Sequence, residues 1–392
     1  METMNPLFSI AIVTFQQRHL LEDCLYSIFK QTYSNIELII CDDESCDFNV
    51  TDVNNFIRKH KRENIKNVIV YKQKSNVGTT ANCQKAFELA NGEFFKLQAG
   101  DDMLMDKKVL EKIAKYFETS SVNIIATIAQ ACTHDGRLVS DFYPPIPNFI
   151  KAREATPKQL FKYIGTEPWG AYVCAPAVFW RRSFLAEMGG FDLSYKFTED
   201  WPMWLRICQQ NIPIKYIDEV TTIYRYGGIS NDQSELNKTL GRAHYNECIR
   251  LLKEIAMPQF SKENSWFPRI RCWHSIKSIE ARIVNEMDWN NFGLWEKLSW
   301  KIRSFPFLVC SEIFHVRNTG INMPIRPALL SLLICMVFFC FNINLYPTWP
   351  SKYIWSILFV LDAAYICCFS LLKIFSLILS SLLNLRIMLH QN

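Results

Sequence analysis

The chain has 392 residues, a formal net charge of +5 and 49% hydrophobic residues. That charge is too small to point to nucleic acid as a partner, and the length allows one large domain or two with extras. Fourteen cysteines without a CxxC pair exclude a disulfide framework and read as reduced, buried thiols of a cytosolic compartment.

The N-terminal METMNPLFSIAIVTF has no basic leader and no long apolar core, so no signal peptide is expected. It enters a β-branched run at once, FSIAIVT over residues 8–14. Leu20, Leu21, Cys24, Leu25, Ile28 and Phe29 then recur at helical spacing. IELIIC (36–41) is apolar throughout, as a strand buried on both faces is. A helix is expected around Val53–His60, a strand at NVIVYK (67–72), a helix over Thr80–Ala90 and a strand at EFFKL (93–97). Strand and helix in alternation predict an α/β domain with a mainly parallel sheet.

A helix to about Glu118 and a strand over VNIIATIAQA follow. From Pro144 to Pro168 the pattern loosens into a Pro-bearing segment. AYVCAPAVFWRRSFLAEMGGFD reads as strand then helix, TEDWPMWLRICQQN as a helix that begins with acidic residues, and IPIKYID and VTTIYRY as short strands. Beyond about Asn231 the chain reads as helical to roughly Asn290.

In open α/β sheets ligands bind outside the carboxyl ends of the strands. Three polar clusters fall there: Thr14-Phe15, Asp42-Asp43 and Asp101-Asp102. Adjacent carboxylates repel unless a cation joins them. Hard oxygen ligands beside a phosphate suit Mg²⁺ or Mn²⁺. A turn with a helix cap is the competing reading of Gly100-Asp101-Asp102. There is no GxxxxGK[ST] loop and no GxGxxG after the first strand, which argues against a P-loop enzyme and a dinucleotide oxidoreductase.

The order of FSIAIVTF, LEDCLYSIFKQTYSNIELIICDDES, NVGTTANCQKAFELANGEFFKLQAGDD and GGFDLSYKFTEDWPMWLRI resembles a family 2 glycosyltransferase with the GT-A fold, over about residues 7–230. The resemblance implies a Rossmann-like, mainly parallel sheet flanked by helices. It implies that Thr14, Phe15 and Asp42 or Asp43 hold the nucleotide base and ribose, with Asn76 and Gly78 near the nucleotide. Asp101 and Asp102 would correspond to the acidic motif that binds metal and diphosphate. Asp200 of the Glu199-Asp200 pair would be the catalytic base. The chain departs from the pattern at Ala99, where many members carry another Asp, and after Tyr224-Arg225, where some relatives place a His. The QxxRW signature of processive synthases is absent, so one sugar per event is expected. Trp169, Trp201 and Trp204 are open to two readings, an acceptor platform or core packing.

The expectation is an inverting transferase, non-processive, that moves a sugar from a nucleotide diphosphate donor, a uridine one by family habit, to a glycan or lipid-linked acceptor in cell-surface polysaccharide synthesis. A nucleotidyltransferase and a catalytically inactive binding protein are the alternatives.

The C-terminal part is greasy. Ala328–Leu345 and Ile354–Leu372 approach the roughly 20 apolar residues that a span needs. They are expected to form a membrane hairpin, with Ile374–Leu385 an amphipathic segment on the surface. Arg317, Arg326, Lys373 and Arg386 flank the pair, while the loop between carries only Lys352. Basic flanks bias those ends to the cytoplasm. The expected organisation is a catalytic domain over 1–230, a helical extension over 231–317 and a membrane-associated part over 318–392, with the catalytic domain on the cytoplasmic face of the inner membrane.

Overall fold

The computed structural model describes residues 5–226 and 235–283. All of these belong to one compact unit, Met1–Phe292. The first half alternates strand and helix: β1 (Phe8–Thr14), α1 (Leu21–Phe29), β2 (Ile36–Asp42), α2 (Val50–His60), β3 (Ile65–Lys72), α3 (Thr79–Leu89), β4 (Phe94–Ala99), β5 (Met103–Leu104) and α4 (Val109–Glu118). Then come β6 (Ile124–Cys132), β7 (Leu138–Tyr143), α5 (Ile146–Arg153), α6 (Pro157–Thr166), β8 (Val178–Arg181), α7 (Arg182–Glu187), α8 (Trp201–Gln209) and β9 (Lys215–Arg225). Helices α9 (Glu235–Leu251), α10 (Met257–Lys262) and α11 (Trp266–Ile283) close the described part.

The sheet runs β3-β2-β1-β4-β8-β6-β9-β5, with β7 also paired to β6. β3, β2, β1 and β4 are parallel, in the register Thr14↔Asp42 and Val13↔Ala99. The expected mainly parallel sheet therefore holds without interruption over its first half only, although β6 and β9 are parallel as well. β8 is antiparallel to both β4 and β6, β7 is antiparallel to β6, and β5 to β9. The two short strands read at IPIKYID and VTTIYRY are one, β9, which pairs with β6 along its length and with β5 near its end.

Alternation along the strands makes two cores. Ile10, Ile12, Leu38, Ile40 and Phe94 face one side, under α1, α2 and α4. Ala11, Ile39 and Phe95 face the other, with α3, α6 and α8, and residues of α9, α10 and α11 continue the same core. Phe161 of α6 meets Phe260 of α10 edge to face at 5.5 Å, and Ser275 of α11 donates to the carbonyl of Thr166 at 2.7 Å. The helices after residue 230 are thus seated on the sheet domain itself.

Residues 144–168 fold as two helices rather than a loose segment. Thr156 Oγ1 accepts from the Gln159 N–H, the Gln159 side chain returns a bond to Thr156, and Pro157 sits at the first helical position. Pro fits there because its missing N–H has no helical partner to lose. Eight of the nine described cysteines are buried and none is bridged, so they pack as small apolar side chains. No helix among the described residues is long and apolar enough to cross a membrane. The runs 328–345, 354–372 and 374–385 lie outside the described residues.

Candidate active site

The parallel strands end together. Asp43 N–H donates to the Thr14 carbonyl at 3.0 Å, and Gly100 N–H to the Val13 carbonyl at 2.9 Å. The clusters after β1, β2 and β4 therefore share one rim. Thr14 Oγ1 is buried there without a hydrogen-bond partner, and Phe15 is half-buried beside it.

The two aspartates after β2 differ. Asp42 is sealed inside a turn, accepting from Ser45 N–H at 2.8 Å and from Ser45 Oγ at 2.5 Å. Asp43 reaches across to the loop before α3. Its carboxylate accepts from Asn76 Nδ2 at 3.0 Å, Val77 N–H at 2.8 Å and Gly78 N–H at 3.0 Å. The structure thus brings Asp43, Asn76 and Gly78 into one unit, with Asn76 exposed and Asp43 buried. Burial pushes both carboxyls above the usual range, against the pull of these hydrogen bonds.

Gly78 carries the turn with a φ of +92°, and a Cβ there would lie 2.4 Å from Lys196 Cγ and 2.8 Å from the Lys196 carbonyl. We expect Gly78→Ala to lower stability by about 1–3 kcal/mol for the backbone alone, with the clash added. Thermal unfolding with and without a nucleoside diphosphate checks this, and an unchanged midpoint would refute it.

Asp101 and Asp102 lie past the end of β4, 7% and 1% exposed. Asp101 accepts from Gln17 Nε2 at 2.9 Å, and Asp102 Oδ1 from the Arg225 N–H at 3.0 Å. Asp102 Oδ2 is buried without a partner. Burial raises both carboxyls, and for Asp102 the charge of Asp101 adds to it. Two cations stand behind the pair. Arg225, at the end of β9, donates to the Asp101 carbonyl at 3.1 Å and to Asp23 Oδ2 at 2.8 Å. Lys96, fully buried on β4, donates to the Pro176 carbonyl and lies 4.7 Å from the centre of the Phe179 ring. Burial pushes its ammonium down to about 8, against the pull of Asp102. An unpartnered buried carboxylate oxygen with a second carboxylate alongside is a donor set that fits a hard divalent cation.

Glu199 and Asp200 sit on the loop entering α8, partly accessible yet deep enough in the crevice that lost hydration raises both carboxyls. Asp200 stands at the N-cap position of α8 but makes no side-chain capping bond. Instead Asp200 Oδ2 accepts from Trp204 Nε1 at 3.3 Å, and Trp204 stacks flat on Trp180 with centroids 5.4 Å apart. Trp201 and Trp204 are core residues, so of the three tryptophans only Trp169, 43% exposed, remains open to an acceptor role.

The buried thiols connect these clusters. Cys174 is raised by burial first, then by the charges of both Asp102 and Asp200. Cys83 is raised by burial, then by Glu199, Cys41, Asp200 and Asp43. The three acidic groups therefore lie within electrostatic reach of the same buried thiols. Gln17, Lys96 and Arg225 were not singled out from sequence as site residues. Arg225 lies 123 residues from Asp102 along the chain, and no local pattern could join them.

An α/β sheet whose parallel strand ends gather acidic residues, closed by an antiparallel return that carries another carboxylate pair, is a GT-A-like glycosyltransferase domain. Residues 9–186 match the model of Glycosyl transferase family 2. Over that stretch the chain carries a family 2 glycosyltransferase domain. An uncharacterized glycosyltransferase of Methanocaldococcus jannaschii is 23% identical over 246 residues, covering 62% of this chain and 79% of that protein. A PGL/p-HBAD biosynthesis glycosyltransferase of Mycobacterium bovis is 25% identical over 232 residues, covering 58% and 80%. Among solved structures, S. aureus TarS in complex with UDP is 17% identical at a TM-score of 0.44, covering 71% of this chain and 81% of that one. A mannosyltransferase of Pyrobaculum calidifontis in complex with GDP-Man and Mn²⁺ is 11% identical at 0.48, covering 93% and 87%.

Proposed function

We propose that the chain transfers one sugar per event, with inversion, from a nucleotide diphosphate donor to a hydroxyl of a glycan or lipid-linked acceptor. The observation that carries this is the gathering of Asp43 and Asp101-Asp102 on one strand-end rim, with Glu199-Asp200 acting on the same buried thiols. In this reading Phe15 and Thr14 meet the base and ribose. Asp43 rather than Asp42 faces the base, because Asp42 is closed into the Ser45 turn while Asp43 Oδ1 accepts only the Val77 N–H and keeps a lone pair. Asp101 and Asp102 would hold Mg²⁺ or Mn²⁺, which when bound neutralises the diphosphate leaving group. Asp200 takes the proton of the acceptor hydroxyl as its oxygen bonds to the anomeric carbon. The bond from that carbon to the phosphate oxygen breaks, and the nucleoside diphosphate leaves. A uridine donor, a role in cell-surface polysaccharide synthesis and an inner-membrane location with the catalytic domain facing the cytoplasm belong to the same proposal.

Full-length protein offered a panel of nucleotide sugars, with and without Mn²⁺, tests it by release of free nucleoside diphosphate. Turnover of one donor class is expected, and no turnover of any donor would overturn the reading. Fractionation of the same preparation tests the membrane. The full chain should pellet with membranes, and a chain ending at Asn318 should stay soluble and still hydrolyse donor. Full-length protein that stays soluble without detergent would remove the hairpin.

A further inference from the structure

The loop from Asp192 to Asp200 joins α7 to α8 without regular structure, yet its main chain is held on two sides. From the sheet domain, Thr80 N–H donates to the Lys196 carbonyl at 3.1 Å. From α9, Glu247 accepts the Lys196 N–H at 2.6 Å with one oxygen and the Phe197 N–H at 2.9 Å with the other. On the preceding turn His244 Nδ1 shares a hydrogen bond with Thr198 Oγ1 at 3.1 Å. On the following turn Arg250 donates to the Ser194 carbonyl at 2.5 Å and lies 4.2 Å from the centre of the Tyr195 ring.

We infer that α9 is the positioning element of the catalytic loop, with Glu247 as its main tie and His244 and Arg250 as its neighbours. A carboxylate that accepts two consecutive backbone N–H groups makes charge-assisted bonds of fixed geometry. The tie ends two residues before Glu199, so it sets where the Glu199-Asp200 pair points. α9 can impose that position because it is itself anchored. Cys248, Leu251 and the following Leu252 are buried in the core shared with α6 and α8. The residues that aim the loop thus lie outside the stretch 9–186 that matches the family.

This inference rests on Asp200 being the base, and the test separates the two. Glu247→Gln keeps the shape and one acceptor oxygen. It is expected to lower kcat by about 10–100-fold, as a small misplacement of a reacting group does, with the donor KM and the unfolding midpoint unchanged. Placed on Asp200→Asn, the same substitution is expected to add nothing further, since it acts through Asp200. Thr198→Val, which removes only the hydroxyl shared with His244, is expected to shift kcat in the same direction by less. A severe Asp200→Asn with a Glu247→Gln effect that multiplies independently, or an unchanged kcat in Glu247→Gln, overturns the positioning role alone. Asp200→Asn at the parent rate overturns the base assignment and this inference with it.

Discussion

Asp200→Asn is expected to lower the transfer rate by about 10²–10⁴-fold, the usual contribution of a positioned general base, while donor affinity stays within a few fold. The geometry separates the two roles. Asp200 is oriented by Trp204, which is fixed by its stack on Trp180, and neither contact involves the strand ends assigned to the donor. Its neighbour is the weaker candidate for a physical reason. Burial, and then the charge of Asp200, pushes Glu199 up to about 8, which favours its protonated form, whereas Asp200 has the orienting contact to Trp204. Burial also raises Asp200 above the ordinary aspartate range. A base works deprotonated, so the rate should rise with pH through that raised value, and the acid limb should disappear in Asp200→Asn. Steady-state rates against pH, with donor binding measured by titration, check both. An equal loss of donor affinity would move Asp200 to the donor site.

Asp102→Asn is expected to cost about 10²-fold or more in turnover, the size of a lost electrostatic contact to developing charge, with folding near normal. The amide oxygen can still accept from the Arg225 N–H, as Oδ1 does now. The change falls on Oδ2, the buried oxygen without a partner, where an NH₂ group replaces an acceptor. Removing a carboxylate from a site that disfavours its charge relieves desolvation but takes an anion from beside Lys96, so the unfolding midpoint should move little. Rates measured across a Mn²⁺ series should lose their metal dependence along with their size. If Asp101→Asn, Asp102→Asn and the double variant all turn over at the parent rate, the metal role is wrong.

What was legible in the sequence was local. The apolar run of β2 marks a strand buried on both faces, the runs of β1 and β4 mark strands, and the polar clusters Thr14-Phe15, Asp42-Asp43 and Asp101-Asp102 mark their ends. The return half was harder to read. β8 is four residues long and antiparallel to both neighbours, so its short apolar run carries no sign of direction. Pro144–Pro168 read as loop because Pro disrupts helix interiors, whereas Pro157 starts a helix inside a capping box. Asp42 or Asp43 reads as a base-binding residue from its place after β2, but the hold of Asp43 on Val77 and Gly78 depends on how the β3–α3 loop returns. Arg225 against Asp102, and Glu247 against Lys196, join segments 123 and 51 residues apart. Periodicity reports on neighbours along a helix or strand and is silent on such pairs.

Lys96 and Arg225 behind the acidic pair bear on the order in which things arrive. With Asp23 also paired to Arg225, and burial favouring the protonated form of the aspartate pair, the strand end lies near electrical balance before any ligand enters. A divalent ion entering alone would add two uncompensated positive charges in a region of low dielectric, where charge imbalance is costly. A diphosphate entering alone would add the opposite excess. Entering together, they cancel. Under the proposed function the ion and the donor are therefore expected to be coupled ligands. By linkage, the factor by which donor tightens the ion equals the factor by which the ion tightens the donor.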